Sequence, residues 1–352
     1  MAFLKINNVE IKGIAASVPK YSEENVNSGV FPNNEDARKF ISSTGVERRR
    51  VADSNTTTSD MCYLAAERLI SDLKWERDSI DCLILVTQSP DYILPASSCI
   101  LQHRLKLNEE CYALDVSLGC SGWVYGLSVI ANLISNGSFR RGLFLCGETA
   151  LRFASKKDKS TWPLFGDAGT CVALEYSESA GDICFHFATD GSGAEAIIIP
   201  EGGFRNPYSN ETLNYFKAEE GITRNKLHTI MNGMDVFAFG ISKAPESVRK
   251  LCANFNLELN LIDYFTFHQA NLFMNEKIRK KLKLPEDKVL YSLKNFGNTS
   301  SASIPLTIVT QLNNEIRTNK IKHLACGFGV GLSWGSVYFE TKNIACPEII
   351  EF

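Results

Sequence analysis

Short apolar runs alternate with stretches of helical period along most of the chain. "DCLILV" (81–86), "YALDV" (112–116), "LFLCG" (143–147) and "CVALEY" (171–176) have the length and character of buried strands. Between most of them the apolar residues fall three and four apart. That order predicts βαβ units around a mainly parallel sheet. Over 59–74, Cys62, Ala66, Leu69, Ile70 and Leu73 form one apolar stripe, with Ser59 as the predicted N-cap. A second helix is predicted after Cys120 and ends at Asn136-Gly137, because glycine tolerates the left-handed turn that closes a helix. The polar stretch 201–226 is full of turn formers and reads as a surface excursion.

The chain also resembles itself. "SIDCLILVTQS" (79–89) matches "LIDYFTFHQAN" (261–271), with the Ile-Asp pairs offset by 262 − 80 = 182. "LGCSGWVYGLSVIANLI" matches "FGNTSSASIPLTIVTQL", with Gly119-Cys120 and Gly297-Asn298 offset by 178. "GLFLCGE" matches "KHLACGF", with Cys146-Gly147 and Cys326-Gly327 offset by 180. Three matches in one order, near half the length of the chain, predict a duplicated α/β half. The boundary falls near 177–182, which gives halves of 1–178 and 179–352.

Composition narrows the class. The chain has 352 residues, 44% hydrophobic and 22% charged, which suits a globular protein with a sizeable core. A formal charge of −3 argues against a general nucleic-acid binder. No run reaches the roughly 18 apolar residues of a membrane span, and "MAFLKINNVEIKGIAASV" alternates like a strand rather than a signal peptide. Eleven cysteines lack C-x-x-C spacing, and the five histidines do not sit near them as metal ligands would. Most of these cysteines lie in apolar runs, where the thiol acts as a small hydrophobe. The expectation is a reduced, cytoplasmic protein without a metal and with one reactive cysteine.

That cysteine is Cys120. In "LDVSLGCSGWVYGLSV" (114–129) a strand runs into Gly119-Cys120-Ser121-Gly122, and a helix begins at once. A helix N-terminus favours negative charge, and so predicts thiolate character at Cys120. Small neighbours leave room for a carbonyl to reach both the sulfur and backbone N–H groups, which suits acyl transfer to sulfur. Asn298 occupies the twin position in the second half. His268 ends the strand "IDYFTFH", at the sheet edge where open α/β folds place their sites. Taken singly, each is an ordinary turn or strand end; together they mark a site.

Four segments, "DVSLGCSGWVYGLSV", "HQANLFMNEKI", "FGNTSSASIPL" and "GFGVGLSWGSVYFE", resemble the signatures of 3-oxoacyl-[acyl-carrier-protein] synthase III, a condensing-enzyme family of the thiolase superfamily. "STGVERRRVAD" and "TQSPDYILPASSCILQ" resemble its other landmarks, in the same order. The resemblance implies an α/β fold of five layers, αβαβα, built from two pseudo-repeated halves, and a homodimer. It implies that Cys120 is acylated, while His268 and Asn298 hold the thioester carbonyl of a malonyl group. Loss of carbon dioxide leaves an enolate there, and losing one donor to such an oxygen costs about 3–4 kcal/mol. The N–H groups of Cys120 and Val330 would form the acyl oxyanion hole, and Leu94, Phe328 and Gly329 would line the substrate site. Coenzyme A or phosphopantetheine thioesters are the implied substrates, with acyl-CoA or an acyl carrier protein as partner and no cofactor.

The departures are specific. Val330 stands where family members often have glycine. Phe273 replaces an arginine that helps bind the acidic carrier. The tryptophan that stacks on the adenine of coenzyme A has no counterpart in "EDARKFISSTG", and Leu94 replaces a bulky aromatic that gates the acyl pocket. The donor, carrier and chain-length determinants therefore differ, which fits a specialised pathway. "ERRR" (47–50) reads either as a phosphate contact or as a solvated face. Lys277, Lys280 and Lys281 on one helix either steer an acidic carrier or are merely solvated. The expected reaction is decarboxylative condensation through an acyl-cysteine. The alternatives are transfer of the acyl group to oxygen or nitrogen with His268 as base, a non-catalytic partner subunit, or a cysteine hydrolase.

Overall fold

The computed structural model describes residues 2–352. Two main sheets lie face to face with a pair of helices between them. The first has the strand order Ile350–Glu351, Val9–Val18, Ala168–Tyr176, Arg141–Glu148, Cys82–Val86, Tyr112–Val116. The second runs Ala2–Ile6, Ile183–Thr189, Ser333–Lys342, Lys320–Gly329, Tyr264–Phe267. Each terminal strand thus joins the sheet built mainly by the other end of the chain.

Three slabs of buried side chains give five layers. Helices Gly122–Ile134 and Ser303–Ile316 pack between the sheets, in a core that includes Val86, Trp123, Phe144, Leu306, Ala325 and Phe339. Helices Thr58–Leu73 and Ser97–Arg104 cover the outer face of the first sheet. Helices Gly233–Phe255 and Leu272–Leu282 cover the second. Helix Gly122–Ile134 is apolar nearly all round, as a helix buried on two sides must be, whereas Ser303–Ile316 is buried over its first turns and exposes Gln311, Asn314 and Glu315 near its end. The repeat read from the sequence is the unit of this architecture. Strand Cys82–Val86 corresponds to Tyr264–Phe267, helix Gly122–Ile134 to Ser303–Ile316, and strand Arg141–Glu148 to Lys320–Gly329.

The sheets are mixed rather than mainly parallel. Cys82–Val86 pairs in parallel with both its neighbours, and Tyr264–Phe267 pairs in parallel with Lys320–Gly329. In each half, however, the next strand returns without a helical crossover. Ala168–Tyr176 runs antiparallel to Arg141–Glu148, and Ser333–Lys342 antiparallel to Lys320–Gly329. Antiparallel neighbours need no crossover helix, so a helix–strand alternation read along the chain misses them. The helix predicted at 59–74 spans Thr58–Leu73, and Thr57 rather than Ser59 caps it. Asp60 reaches back to the Thr57 N–H at 2.8 Å, closing a capping box, while the Ser59 hydroxyl turns to Asp91 at 2.6 Å.

The excursion at 201–226 is largely exposed and holds the small hairpin Phe216–Glu219 with Ile222–Arg224. Its neck matters more. Ile197–Ile198 pairs with Ile230–Met231, and these residues form part of a cavity wall.

Trp123 tests the layering, because its indole, fully buried, meets Phe144 of one sheet at 6.5 Å and Phe339 of the other at 5.7 Å. Trp123→Ala should lower the unfolding free energy by about 3–5 kcal/mol in a urea titration. An unchanged midpoint would mean that the middle layer does not hold the sheets together.

Candidate active site

The corner that carries Cys120 is shaped by what cannot fit. Strand Tyr112–Val116 ends, the chain turns through Leu118–Ser121, and helix Gly122–Ile134 starts. A Cβ on Gly119 would sit 2.3 Å from the Gln88 side-chain oxygen, and one on Gly122 would sit 2.5 Å from a Val86 methyl. From the second half, the strand carrying Gly327 and Gly329 presses against the same turn. A Cβ on Gly329 would lie 2.4 Å from the Cys120 Cβ and 2.7 Å from its sulfur. Backbone therefore reaches the sulfur from both halves, and the N–H groups of Val330 and Cys120 turn towards it.

Cys120 is 8% exposed, and its Sγ lies 3.9 Å from the Ser300 hydroxyl. Burial pushes its thiol above the ordinary range, although the Ser300 hydroxyl and the Val330 and Cys120 N–H groups pull the other way. The Cys120 side chain thus rests as a neutral thiol rather than the thiolate that the nearby helix end predicts. Desolvation outweighs the dipole here. Nor is Cys120 the accessible thiol, since Cys99 is exposed while Cys111 and Cys252 are partly so.

His268 follows strand Tyr264–Phe267 and is buried, with its ring edge against Phe328 at 5.6 Å. Nδ1 lies 2.8 Å from Ser303 Oγ, which itself accepts the Gln269 N–H at 3.4 Å. Serine's hydrogen is then free for Nδ1, which fits a tautomer with the ring proton on Nε2. Burial lowers the imidazole pKa to about 3, against the pull of the Ser300 carbonyl, so the ring is neutral. A thiolate–imidazolium pair is therefore absent.

Asn298 is held by its own turn. Its Oδ1 accepts the Ser300 N–H at 2.9 Å, which leaves the amide nitrogen to donate. Its backbone bonds Leu164 O at 2.9 Å and receives Gly166 N at 3.0 Å. Gly297 makes this possible, with φ at +64° and a hypothetical Cβ only 2.7 Å from the Leu164 oxygen.

Cys120, His268 and Asn298 line one cavity of about 720 Å³, together with Phe328, Gly329 and Val330. Its outer wall is apolar: Phe153, Phe165, Ile197, Met231, Val236 and Phe237 face the interior. Among the described residues no group of three or more His, Cys, Asp or Glu side chains is placed to hold a metal. Among the described residues no helix is long and apolar enough to cross a membrane.

The peripheral residues behave differently. Leu94 does not line the cavity; it is 80% exposed at an apolar tip with Tyr92 and Ile93. Phe273 does line it, stacked on Phe237 at 5.4 Å. Lys277, Lys280 and Lys281 lie outside the cavity wall, on the surface of helix Leu272–Leu282. Lys277 rests over the Phe273 ring at 5.2 Å, and Lys281 donates to the Ile241 carbonyl at 3.2 Å. The arginines of "ERRR" are held in ion pairs, and only the Arg48 side chain stays substantially exposed. Arg48 pairs with Glu24, fully buried Arg49 with Glu23, and Arg50 with Glu351, so they fasten the strand Arg48–Arg50 to its surroundings.

Some functional neighbours escape the sequence reading. Ser303 braces His268, Ser300 touches both Cys120 and Asn298, and Gln88 and Glu148 complete the polar wall. The serines lie in "GNTSSAS" beside Asn298, where the adjacency was a usable signal. Glu148 ends an apolar strand, and nothing local separates it from a strand-end surface acid.

Comparison with known proteins agrees with this geometry. A family model described as "3-Oxoacyl-[acyl-carrier-protein (ACP)] synthase III" matches residues 114–191, and its C-terminal counterpart matches 252–341. The beta-ketoacyl-[acyl-carrier-protein] synthase III of Caldanaerobacter subterraneus is 35% identical over 83% of this chain and 86% of its own. That of Clostridium acetobutylicum is 33% identical over 94% of this chain and 98% of its own. The crystal structure of a 3-oxoacyl-(acyl-carrier protein) synthase from Burkholderia xenovorans superposes with a TM-score of 0.93 at 36% identity, covering 100% of this chain and 99% of that one.

Proposed function

Because the chain belongs to the 3-oxoacyl-[acyl-carrier-protein] synthase III family, and is therefore an acyl-transferring condensing enzyme, we propose that its reaction runs through Cys120, His268 and Asn298. Cys120 takes an acyl group from a thioester donor. Its sulfur attacks the carbonyl, the developing oxyanion meets the N–H groups of Cys120 and Val330, and the donor thiol leaves with the proton. Malonyl thioester then enters, loses carbon dioxide, and its enolate carbon attacks the acyl-cysteine; the carbon–sulfur bond breaks to give a 3-oxoacyl thioester and the cysteine thiolate, which takes a proton from water.

The observation that carries this reading is the neutrality of the second-half pair. His268 is held uncharged and Asn298 has its oxygen occupied, so the pair offers N–H donors rather than a base. Such donors suit an enolate oxygen, whose charge grows only as carbon dioxide departs. The acyl group lies along the apolar wall beside Phe328 and Gly329, and no metal or redox cofactor takes part. The division of labour follows the two halves, 1–178 carrying the nucleophile and 179–352 the decarboxylating pair.

The protein works as a cytoplasmic homodimer in this reading. The exposed apolar tip Tyr92–Ile93–Leu94 supports an interface. Leu94 stands clear of its own chain's cavity, so any gating role would be exerted on the partner's. The aromatic rim at Phe237 and Phe273, in place of the expected arginine, supports a specialised role. Lys277, Lys280 and Lys281 give the acidic carrier a charged approach beside that rim.

Three outcomes test this. Intact-mass spectrometry should find one acyl group per chain after incubation with acyl thioesters, and none in Cys120→Ala. Asn298→Ala should acylate within about tenfold of the parent yet release labelled carbon dioxide from malonyl thioester about 10²–10³ more slowly, the usual loss for one oxyanion donor. Release at the parent rate would replace condensation with acyl transfer to oxygen or nitrogen. Carrier-dependent turnover should fall as salt rises towards physiological strength, where the screening length is about 8 Å. Turnover that is flat with salt, or unchanged in Lys280→Glu with Lys281→Glu, would leave the lysines as a solvated face.

A further inference from the structure

One buried acid of the cavity has no part in the reaction described so far. Glu148 ends strand Arg141–Glu148, is 2% exposed, and shares the cavity wall with Cys120. Four donors converge on its carboxylate. Oε1 accepts the Gln88 backbone N–H at 3.0 Å and the Ser301 hydroxyl at 3.3 Å. Oε2 accepts the Ser89 hydroxyl at 2.8 Å and the Thr87 hydroxyl at 3.3 Å. Ser89 Oγ also accepts the Thr149 N–H at 3.0 Å, which leaves its hydrogen for the carboxylate.

These donors come from both halves of the molecule. Thr87, Gln88 and Ser89 follow strand Cys82–Val86, beside the nucleophile's turn. Ser301 belongs to the turn Ser300–Ala302, which begins two residues after Asn298. Within that turn the Ser300 N–H holds the Asn298 oxygen, and the Ser300 hydroxyl faces the Cys120 sulfur. The Ser301 hydroxyl has one other acceptor, the Gly147 carbonyl at 3.4 Å, on the same strand end.

We propose that Glu148 is a positioning residue for condensation: its carboxylate draws the Ser300–Ala302 turn, and with it the Asn298 amide, against the wall that carries Cys120. This rests on Asn298 serving the malonyl carbonyl.

The charge of Glu148 has a second consequence. The ionisable groups that feel it are thiols, namely Cys120 across the wall, Cys62 on helix Thr58–Leu73 and Cys146 on its own strand. Burial raises the Glu148 pKa to about 7, against the bonds from Ser89, Gln88 and Ser301. Above that pH the carboxylate accepts all four donors; below it the added proton takes one acceptor position and slackens the tie. Condensation is therefore supported above about pH 7 and lost as the pH falls through it. The same negative charge opposes a thiolate at Cys120. One group thus aligns the decarboxylating half and restrains the nucleophile.

Glu148→Gln keeps the shape and removes the charge. It should slow condensation about tenfold, the worth of a hydrogen bond to a charged group, in kcat rather than in the KM for malonyl thioester. The limb near pH 7 should vanish from its rate profile. Labelling of Cys120 by iodoacetamide, read on its own peptide, should become severalfold faster because the like charge is gone. Ser301→Ala removes only the cross-half bond, so it should slow condensation while keeping the limb and the labelling rate. It decides the matter alone if the Gln variant does not fold. Parent condensation rates in these variants, a limb retained in Glu148→Gln, or condensation and labelling falling together would overturn the proposal. Asn298→Ala separates the two readings. If it decarboxylates at the parent rate, the condensation reading fails; if it is slow while both Glu148→Gln and Ser301→Ala are not, only the role of Glu148 fails.

Discussion

The site depends on a backbone approach that leaves no room for a side chain. Gly327 and Gly329 of the second half come so close to Ser121 and Cys120 that a Cβ on either glycine would lie 3 Å or less from the opposing turn. Protein interiors are packed so tightly that an added methyl here must displace something, and the nearest atoms are backbone and the nucleophile itself. The reactive sulfur sits at a place where the two halves touch backbone to backbone. In the proposed reaction the oxyanion donors are N–H groups of the two abutting turns, which need no reorganisation as charge develops.

Several polar groups around that contact are tied down. Asn298 is set by a turn that only Gly297 can make, His268 by Ser303, and the turn between them by Glu148. In the surrounding apolar cavity, a neutral thiol, a neutral imidazole and an amide can all stay buried without a compensating counter-ion.

Much of this was legible in the sequence because local pattern and local chemistry agreed. The strand, the small-residue turn and the following helix around Cys120 are written in one continuous stretch, and the twin turn around Asn298 repeats it. The repeat supplied the layered fold, since each unit has one sheet face that only the other can bury. What the sequence hid were relations between distant segments. Ala168–Tyr176 and Ser333–Lys342 look like any buried strand, and their antiparallel pairing is decided by the absence of a crossover. The arginines at 48–50 look exposed in the sequence, but their partners lie at Glu23, Glu24 and Glu351. Cys120 looked like a thiolate because a helix end is local, whereas the desolvation that overrides it comes from the whole fold.

The central claim is that the second half's glycine strand builds the acylation site by touching Cys120, and Gly329→Ala tests it most directly. The added methyl would press on the Cys120 Cβ, 2.4 Å away, and occupy the space of its sulfur, 2.7 Å away. The account predicts a folded protein, with a far-ultraviolet spectrum like the parent's, whose Cys120 no longer gains an acyl group by intact mass. Acylation at the parent rate in a folded Gly329→Ala protein would contradict it.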